Sequence, residues 1–286
     1  LKEHVKELSR YLKYIFNGHL VIVMFFLIAA LAYYYQMWLA DLPEQFPTAF
    51  VIGTIFGLLV SFSPIRTLLK EPDLVFLIAA EHQMRSYFQK ALVYSYFTQF
   101  YVLILAAAAV SPLYFASYPE RSGSIFLITI GILLLFKAGN LLANWWMLKV
   151  RDRRSRGIDL AVRTVMNVLT FYFVINGETL FASITTILFV IVFLYDYSLA
   201  RKLPLNWDLL IQKDQNQMQA FYRLASMFSD VPHLRNKVNK RQWLVLLVSK
   251  EIPYANEKTY DYLYRITFVR SDYFGMYMRL IIVGAV

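Results

Sequence analysis

The chain has 286 residues, of which 58% are hydrophobic and 17% aromatic, and it carries a formal net charge of +10; its mean hydropathy is +0.46. Soluble domains hold roughly 45–50% apolar residues, so this composition excludes an ordinary globular domain and points to an all-α polytopic membrane protein. The absence of cysteine excludes disulfides, thiol catalysis and cysteine-ligated metal.

The first stretch, "LKEHVKELSRYLKYIF", sets Leu1, Val5, Leu8, Leu12 and Ile15 on one helical stripe with Lys and Glu opposite. This predicts an amphipathic helix within residues 1–19, lying in the membrane interface. A span needs about 20 apolar residues to cross a hydrocarbon layer of about 30 Å. Candidate spans follow at Leu20–Leu39, Pro47–Phe62, Ala91–Phe115, Ser124–Leu148, a short one at Leu160–Ile175, and Thr179–Leu199. They make a six-helix transmembrane domain over residues 20–199. Residues 200–272 read as a cytoplasmic helical segment, and residues 273–286, from Tyr273, as the start of a seventh span. The chain begins at Leu1 rather than Met and stops inside an apolar run, so an excerpt of a longer protein is expected. The first apolar run is too long for a cleavable signal peptide.

Of the 29 Lys and Arg residues, 27 lie in the N-terminal segment, the Ser63–Lys90 insert, the stretch after the fourth span and the segment after the sixth. Only Arg121 lies on the other side, and Lys137 sits within a span. By the positive-inside rule the N-terminus is cytoplasmic. The positive excess then faces anionic lipid, worth about 1 kcal/mol per juxtamembrane Lys or Arg, and needs no nucleic-acid partner. The outer connections, Ala40–Phe46, Ala116–Gly123 and Asn176–Glu178, are too short to hold a domain.

The insert between the second and third spans reads "SPIRTLLKEPDLVFLIAAEHQMRSYFQK". It is helix-like, with one break at Glu71-Pro72, and proline suits the first position of a helix. A helix projecting from two spans can dock in a groove of a separate ATPase, whose closure then moves those spans. In that reading Lys70, Glu71, Asp73, Glu81 and Arg85 supply charge contacts, while Leu77 and Ile78 fill the groove. The competing reading is a solvated loop between long spans.

In the fourth span Lys137, Asn140 and Asn144 form one polar stripe. A lysine at the membrane centre costs about 2.5–3.5 kcal/mol on insertion scales, so it faces a cavity or a partner rather than lipid. Two readings stand: a substrate route whose cation attracts a carboxylate such as a peptide C-terminus, or interhelical hydrogen bonding with Lys137 paired to an acid. Asn167, Thr170 and Arg163 make a similar stripe in the fifth span. Trp145 and Trp146 read as an inner aromatic belt.

Past the sixth span, Trp207, Ile211, Met218, Phe221, Ala225 and Phe228 share a helical face on which Asp214 is the polar intruder. Asn206 is the candidate N-cap, and Ser229–Pro232 ends the helix. The basic stretch "RNKVNKRQW", the apolar run "WLVLLV" and several tyrosines follow.

No phosphate-binding loop, H-E-x-x-H pair or G-x-S-x-G elbow occurs, and His4, His19, His82 and His233 are scattered. The chain is therefore expected to be no enzyme and to hold no cofactor or metal of its own.

Four segments carry a family resemblance: "RYLKYIFNGHL", "LLKEPDLVFLIAAE", "SMFSDVPHL" and "YDYLYRITFVRSDYFGMYMRLIIVGAV". Spread over nearly the whole chain, they resemble the EcsB family, the membrane (permease) subunit of an ABC transporter of Gram-positive bacteria. The resemblance implies a multi-pass protein of the bacterial cell membrane and a separate EcsA-like ATP-binding subunit carrying ATP and Mg. It also implies a homodimeric permease and export of peptides or other amphipathic, hydrophobic molecules. The alternative is a non-transporting scaffold that, with its ATPase, regulates an intramembrane protease or protein secretion. Substituting Lys137 should matter under the first reading and be nearly silent under the second. A secondary carrier would need acids deep in the spans; Glu178 and Asp196 come nearest and lie by span ends, which argues against it.

Overall fold

The computed structural model describes residues 2–16, 18–43, 45–226, 240–249 and 258–271, with 274, 277, 278 and 281 beyond these. Within them the chain is helical, with no strand. In order come α1 (Lys2–Ile15), α2 (Gly18–Ala40), α3 (Thr48–Ser61), α4 (Asp73–Phe76) and a 3₁₀ turn (Ile78–Gln83). Then follow α5 (Arg85–Ser117), α6 (Gly123–Met147), α7 (Arg153–Asn176), α8 (Thr179–Ala200), α9 (Trp207–Ala225), α10 (Gln242–Ser249) and α11 (Thr259–Arg270). The seventh span expected from Tyr273 falls largely outside the described residues, and the Ser229–Pro232 helix stop and most of the basic stretch after it lie outside them too.

Five helices, α2 and α5 to α8, are long and apolar enough to cross a membrane. The second of the six expected spans appears as α3, whose 14 residues rise only about 21 Å at 1.5 Å per residue. Its sequence explains where it sits. Ala49, Gly53, Gly57 and Ser61 recur every fourth position and give α3 a flat face. On that face α7 comes so close that a Cβ at Gly53 would lie 2.7 Å from the Tyr172 nitrogen, and one at Gly57 2.6 Å from the Val168 Cα. Small residues at a four-residue repeat are how membrane helices approach backbone to backbone. On other sides of α3, Ile52, Phe56 and Val60 are fully buried. They meet Leu103 and Tyr114 of α5, Leu133 and Phe136 of α6, Phe171 of α7 and Phe189 of α8 in one core. The Phe56 and Phe171 rings stand edge to face, 5.9 Å apart. α3 is thus the axis of the bundle, while α2 has no buried residue.

The fifth span is longer than the apolar run suggests, because α7 begins at Arg153 rather than near Leu160. Asp152 caps it, accepting from the amides of Arg154 (3.1 Å) and Ser155 (2.9 Å) and from the Ser155 hydroxyl (2.6 Å). These bonds, led by the Ser155 hydroxyl, hold the Asp152 carboxyl below the usual carboxylate range. At the far end Gly177, at φ 87°, lets the backbone turn back on the last turn. Arg121 closes it, donating to the carbonyls of Ile175 and Asn176, with its guanidinium 4.1 Å over the Tyr118 ring.

The chain divides into two compact units, residues 1–218 and 219–286. In the second, Arg241 donates to the carbonyls of Val269 (2.7 Å) and Ser271 (3.2 Å), capping the end of α11. Its guanidinium lies 4.9 Å over the Phe274 ring.

Candidate functional site

Ser63–Lys70 is not helical as the sequence reading expects, and its burial has the two-residue period of an extended segment, interrupted by a turn at Leu68. Burial alternates along it: Ser63, Ile65, Thr67 and Leu69 are buried, and the residues between them are less so. An extended segment has no internal hydrogen bonds, and buried backbone groups must find partners elsewhere. Here side chains of α5, α6 and α9 supply them. Just before the segment, at the end of α3, Lys137 Nζ donates to the carbonyls of Leu59 (2.8 Å) and Phe62 (2.7 Å). Asn144 donates to Ser63 O (3.0 Å), Gln99 to Pro64 O (2.8 Å), Gln217 to Ile65 O (3.0 Å) and the Tyr87 hydroxyl to Thr67 O (2.5 Å). The Arg66 amide donates to Ser95 Oγ (2.9 Å).

The turn at Leu68 has φ 58°, a left-handed conformation that a leucine adopts only under constraint. Asp214 supplies the constraint. Its Oδ1 accepts from the amides of Thr67 (3.1 Å) and Leu68 (3.2 Å). The polar intruder on the α9 face is therefore the residue that fixes the insert's turn. Burial pushes the Asp214 carboxyl up, and the two amides and the Arg66 charge pull it back only in part.

Below the turn the insert is seated on an aromatic cluster. Leu69, Phe88, Trp207, Leu210 and Ile211 are buried together, with Leu74, Leu77 and Trp145 packed against them. Glu81 accepts a hydrogen bond from Trp207 Nε1 (2.8 Å) and Glu71 one from Gln215 (3.1 Å). Asp73 accepts from the Lys70 amide (2.7 Å). Of the residues expected to meet an ATPase, Leu77, Glu71, Asp73 and Glu81 therefore take part in bonding the insert to itself and to α9. Lys70, Ile78 and Arg85 are exposed and, among the described residues, bond neither the insert nor α9 through their side chains. The sequence reading missed two neighbours: Val75 is 73% and Phe76 77% exposed, and with Ile78 at 47% they form an apolar ridge. The signal was in the heptapeptide "DLVFLIA", whose apolar residues are too many to fit one buried face.

The polar stripes of α6 and α7 meet in one buried network. Arg163, 1% exposed, donates through Nε and Nη2 to Asp159 (3.0 and 2.5 Å). It also donates to Asn140 Oδ1 (3.2 Å) and Asn144 Oδ1 (2.7 Å). Asp196 of α8 lies 3.8 Å from its Nε. Asn167 donates to Ser61 Oγ (2.8 Å) and Asn140 Oδ1 (3.1 Å), reaching α3. Of the four sequence candidates, Asn140, Asn144 and Asn167 are brought together around Arg163, while Lys137 bonds the end of α3 apart from them; all four hold helices of the bundle to one another. Lys137 bonds main-chain carbonyls rather than an acid. Arg163, counted with the loop arginines by sequence, is inside the bundle.

The family model described as "Bacterial ABC transporter protein EcsB" matches residues 1–286. The chain is 38% identical over 286 residues to Protein EcsB of Bacillus subtilis (strain 168), an alignment covering all of this chain and 70% of that protein. No solved structure matches significantly. Five membrane-crossing helices and a match along its full length make the chain a multi-pass cell-membrane protein that belongs to the EcsB family of ABC-transporter proteins.

Proposed function

We propose that the chain is the permease subunit of an ATP-driven ABC exporter, and that a separate ATP-binding subunit docks on the insert. The observation that carries the proposal is the ridge of Val75, Phe76 and Ile78, exposed on a mount whose opposite side is fixed to α5, α6 and α9. A partner that grips such a ridge pushes the short helix α4. The load then passes along the extended segment into the end of α3 and through the 3₁₀ turn into α5. A solvated loop would absorb that motion instead of transmitting it. In this reading the N-terminus is cytoplasmic and α3 is the second of six spans, completed by the extended segment. ATP and Mg stay on the partner, and this chain supplies no catalytic group. Two permease chains with two ATP-binding subunits, moving peptides or other amphipathic molecules outward, is the assembly the family resemblance supports.

The test is co-purification. An affinity-tagged chain should retain the ATP-binding subunit from native membranes, and Val75→Asp with Phe76→Asp should lower the retained ATPase at least tenfold while the permease still folds. Undiminished retention sinks the docking assignment.

One observation favours a second reading, the non-transporting scaffold. Most polar groups of the α6 and α7 stripes are engaged in internal bonds, and Lys137 gives two of its three protons to main-chain carbonyls, which leaves little on that stripe to hold a cargo carboxylate. Cargo-stimulated ATP hydrolysis separates the two: the exporter responds to added peptide and the scaffold does not.

A further inference from the structure

At the end of the bundle that carries the insert, a cavity of about 780 Å³ opens between the 3₁₀ turn, the first turns of α5 and the last turns of α6. Arg85 and Lys149 line it with His82, and the indoles of Trp145 and Trp146 form one wall. Among the described residues neither the Arg85 nor the Lys149 side chain has an ion pair or hydrogen-bond partner. The cavity's acid, Glu81, is bonded to Trp207 (2.8 Å). The indoles are held in place by other rings, Trp145 by Phe88 at 5.1 Å and Trp146 by Phe193 and Tyr197 at 4.7 and 5.0 Å. The lining also includes Leu92 and Leu142. Leu142 of α6 is 39% exposed and Leu92 of α5 half-buried, so this side opens onto the surfaces of two membrane-crossing helices.

A ligand that satisfies all of this needs a negative head of phosphate size and an apolar body leaving sideways along α5 and α6. A free cytosolic anion would satisfy the cations but leave the apolar exit bare. We propose that the cavity is a specific site for the phosphodiester headgroup of an anionic glycerophospholipid. Arg85 and Lys149 hold the phosphate, the two indoles flank the glycerol region, and the acyl chains follow Leu92 and Leu142. Cations and indoles at this level are the usual anchors to anionic headgroups. The bound lipid joins the insert, through Arg85, to the end of α6, through Lys149. The assignment rests on the chain crossing a membrane and is independent of whether an ATPase docks on the ridge.

The experiment is native mass spectrometry of the detergent-purified chain with phosphatidylglycerol or phosphatidylcholine added. The expected result is one phosphatidylglycerol retained per chain, with phosphatidylcholine washing off. Arg85→Gln with Lys149→Gln should weaken retention about thirtyfold, the product of about 1 kcal/mol per cation. Arg151→Gln with Arg154→Gln, which changes exposed charges outside the cavity, should leave it unchanged, and matching thermal melts show that each variant folds. Equal retention of the two lipids, or no loss in the Arg85 and Lys149 variant, overturns the site. Displacement by millimolar inorganic phosphate also overturns the lipid assignment and gives the cations to a free anion.

Discussion

Lys137 donates to two carbonyls that α3 leaves without intrahelical partners, Leu59 O and Phe62 O. A cation at the C-terminal end of a helix satisfies orphan acceptors and complements the helix dipole. Arg121 does the same for α7 and Arg241 for α11. Hydrogen bonds from charged donors contribute about 1.5–3 kcal/mol each, and the desolvation of the buried ammonium offsets part of that, so Lys137→Met should cost about 2–4 kcal/mol, read as a lowered midpoint in a circular-dichroism melt. This loss is expected whether the protein exports or only scaffolds, so Lys137 no longer discriminates between those readings. At the centre of the network Arg163 faces Asp159 and Asp196. Removing one member of a buried charge cluster leaves the others unpaired, at about 3–5 kcal/mol. Arg163→Leu should therefore be worse than Lys137→Met, and adding Asp159→Asn and Asp196→Asn should recover part of the loss. The stripe itself was legible in the sequence, since a lysine and three asparagines inside apolar runs cannot face lipid. Their partners were not, because main-chain carbonyls of another helix leave no mark in the side-chain pattern.

The extended segment between α3 and α4 depends on α9 for its shape. Asp214 holds the left-handed turn at Leu68 through two amides, so Asp214→Ala should free it. Hydrogen exchange at residues 65–69 should then accelerate by tenfold or more while the core amides of α3 stay protected. The pH dependence has a definite sign. Burial raises the Asp214 carboxyl in the folded state, so its contribution is fully present below the unfolded value of about 3.9 and is lost as pH rises through the raised value. Asp214→Asn should flatten the stability profile in that window. Helix α3 makes a separate prediction. With Tyr172 and Val168 backbone under 3 Å from a Cβ at Gly53 or Gly57, Gly57→Leu must force α3 and α7 apart. The expected cost is at least about 1–3 kcal/mol in the melt, with Gly131→Leu, where a Cβ meets nothing within 4 Å, as the silent control. The apolar runs gave away most helices, yet not the non-helical Ser63–Lys70: its residues, "SPIRTLLK", suit either conformation, and tertiary hydrogen bonds decided between them.

For the whole molecule, the arrangement of α3, the extended segment and α4 is a single path from bundle core to exposed ridge. Without native cysteine, single cysteines can test the orientation cleanly. A cysteine at Glu120 should react with a membrane-impermeant maleimide in intact cells, and one at Arg154 only after permeabilisation; the reverse pattern would invert the topology. What composition made plain was membrane residence. The seat of the insert on α9 was foreshadowed only by one acid, Asp214, on an otherwise apolar helix face. The most direct measurement of the account is ATP hydrolysis by the co-purified complex in lipid nanodiscs, comparing the wild-type chain with Val75→Asp plus Phe76→Asp. The wild-type permease should alter the ATPase rate several-fold, and the double variant should return it to the rate of the isolated ATP-binding subunit. A double variant that still modulates the ATPase like wild type would contradict it.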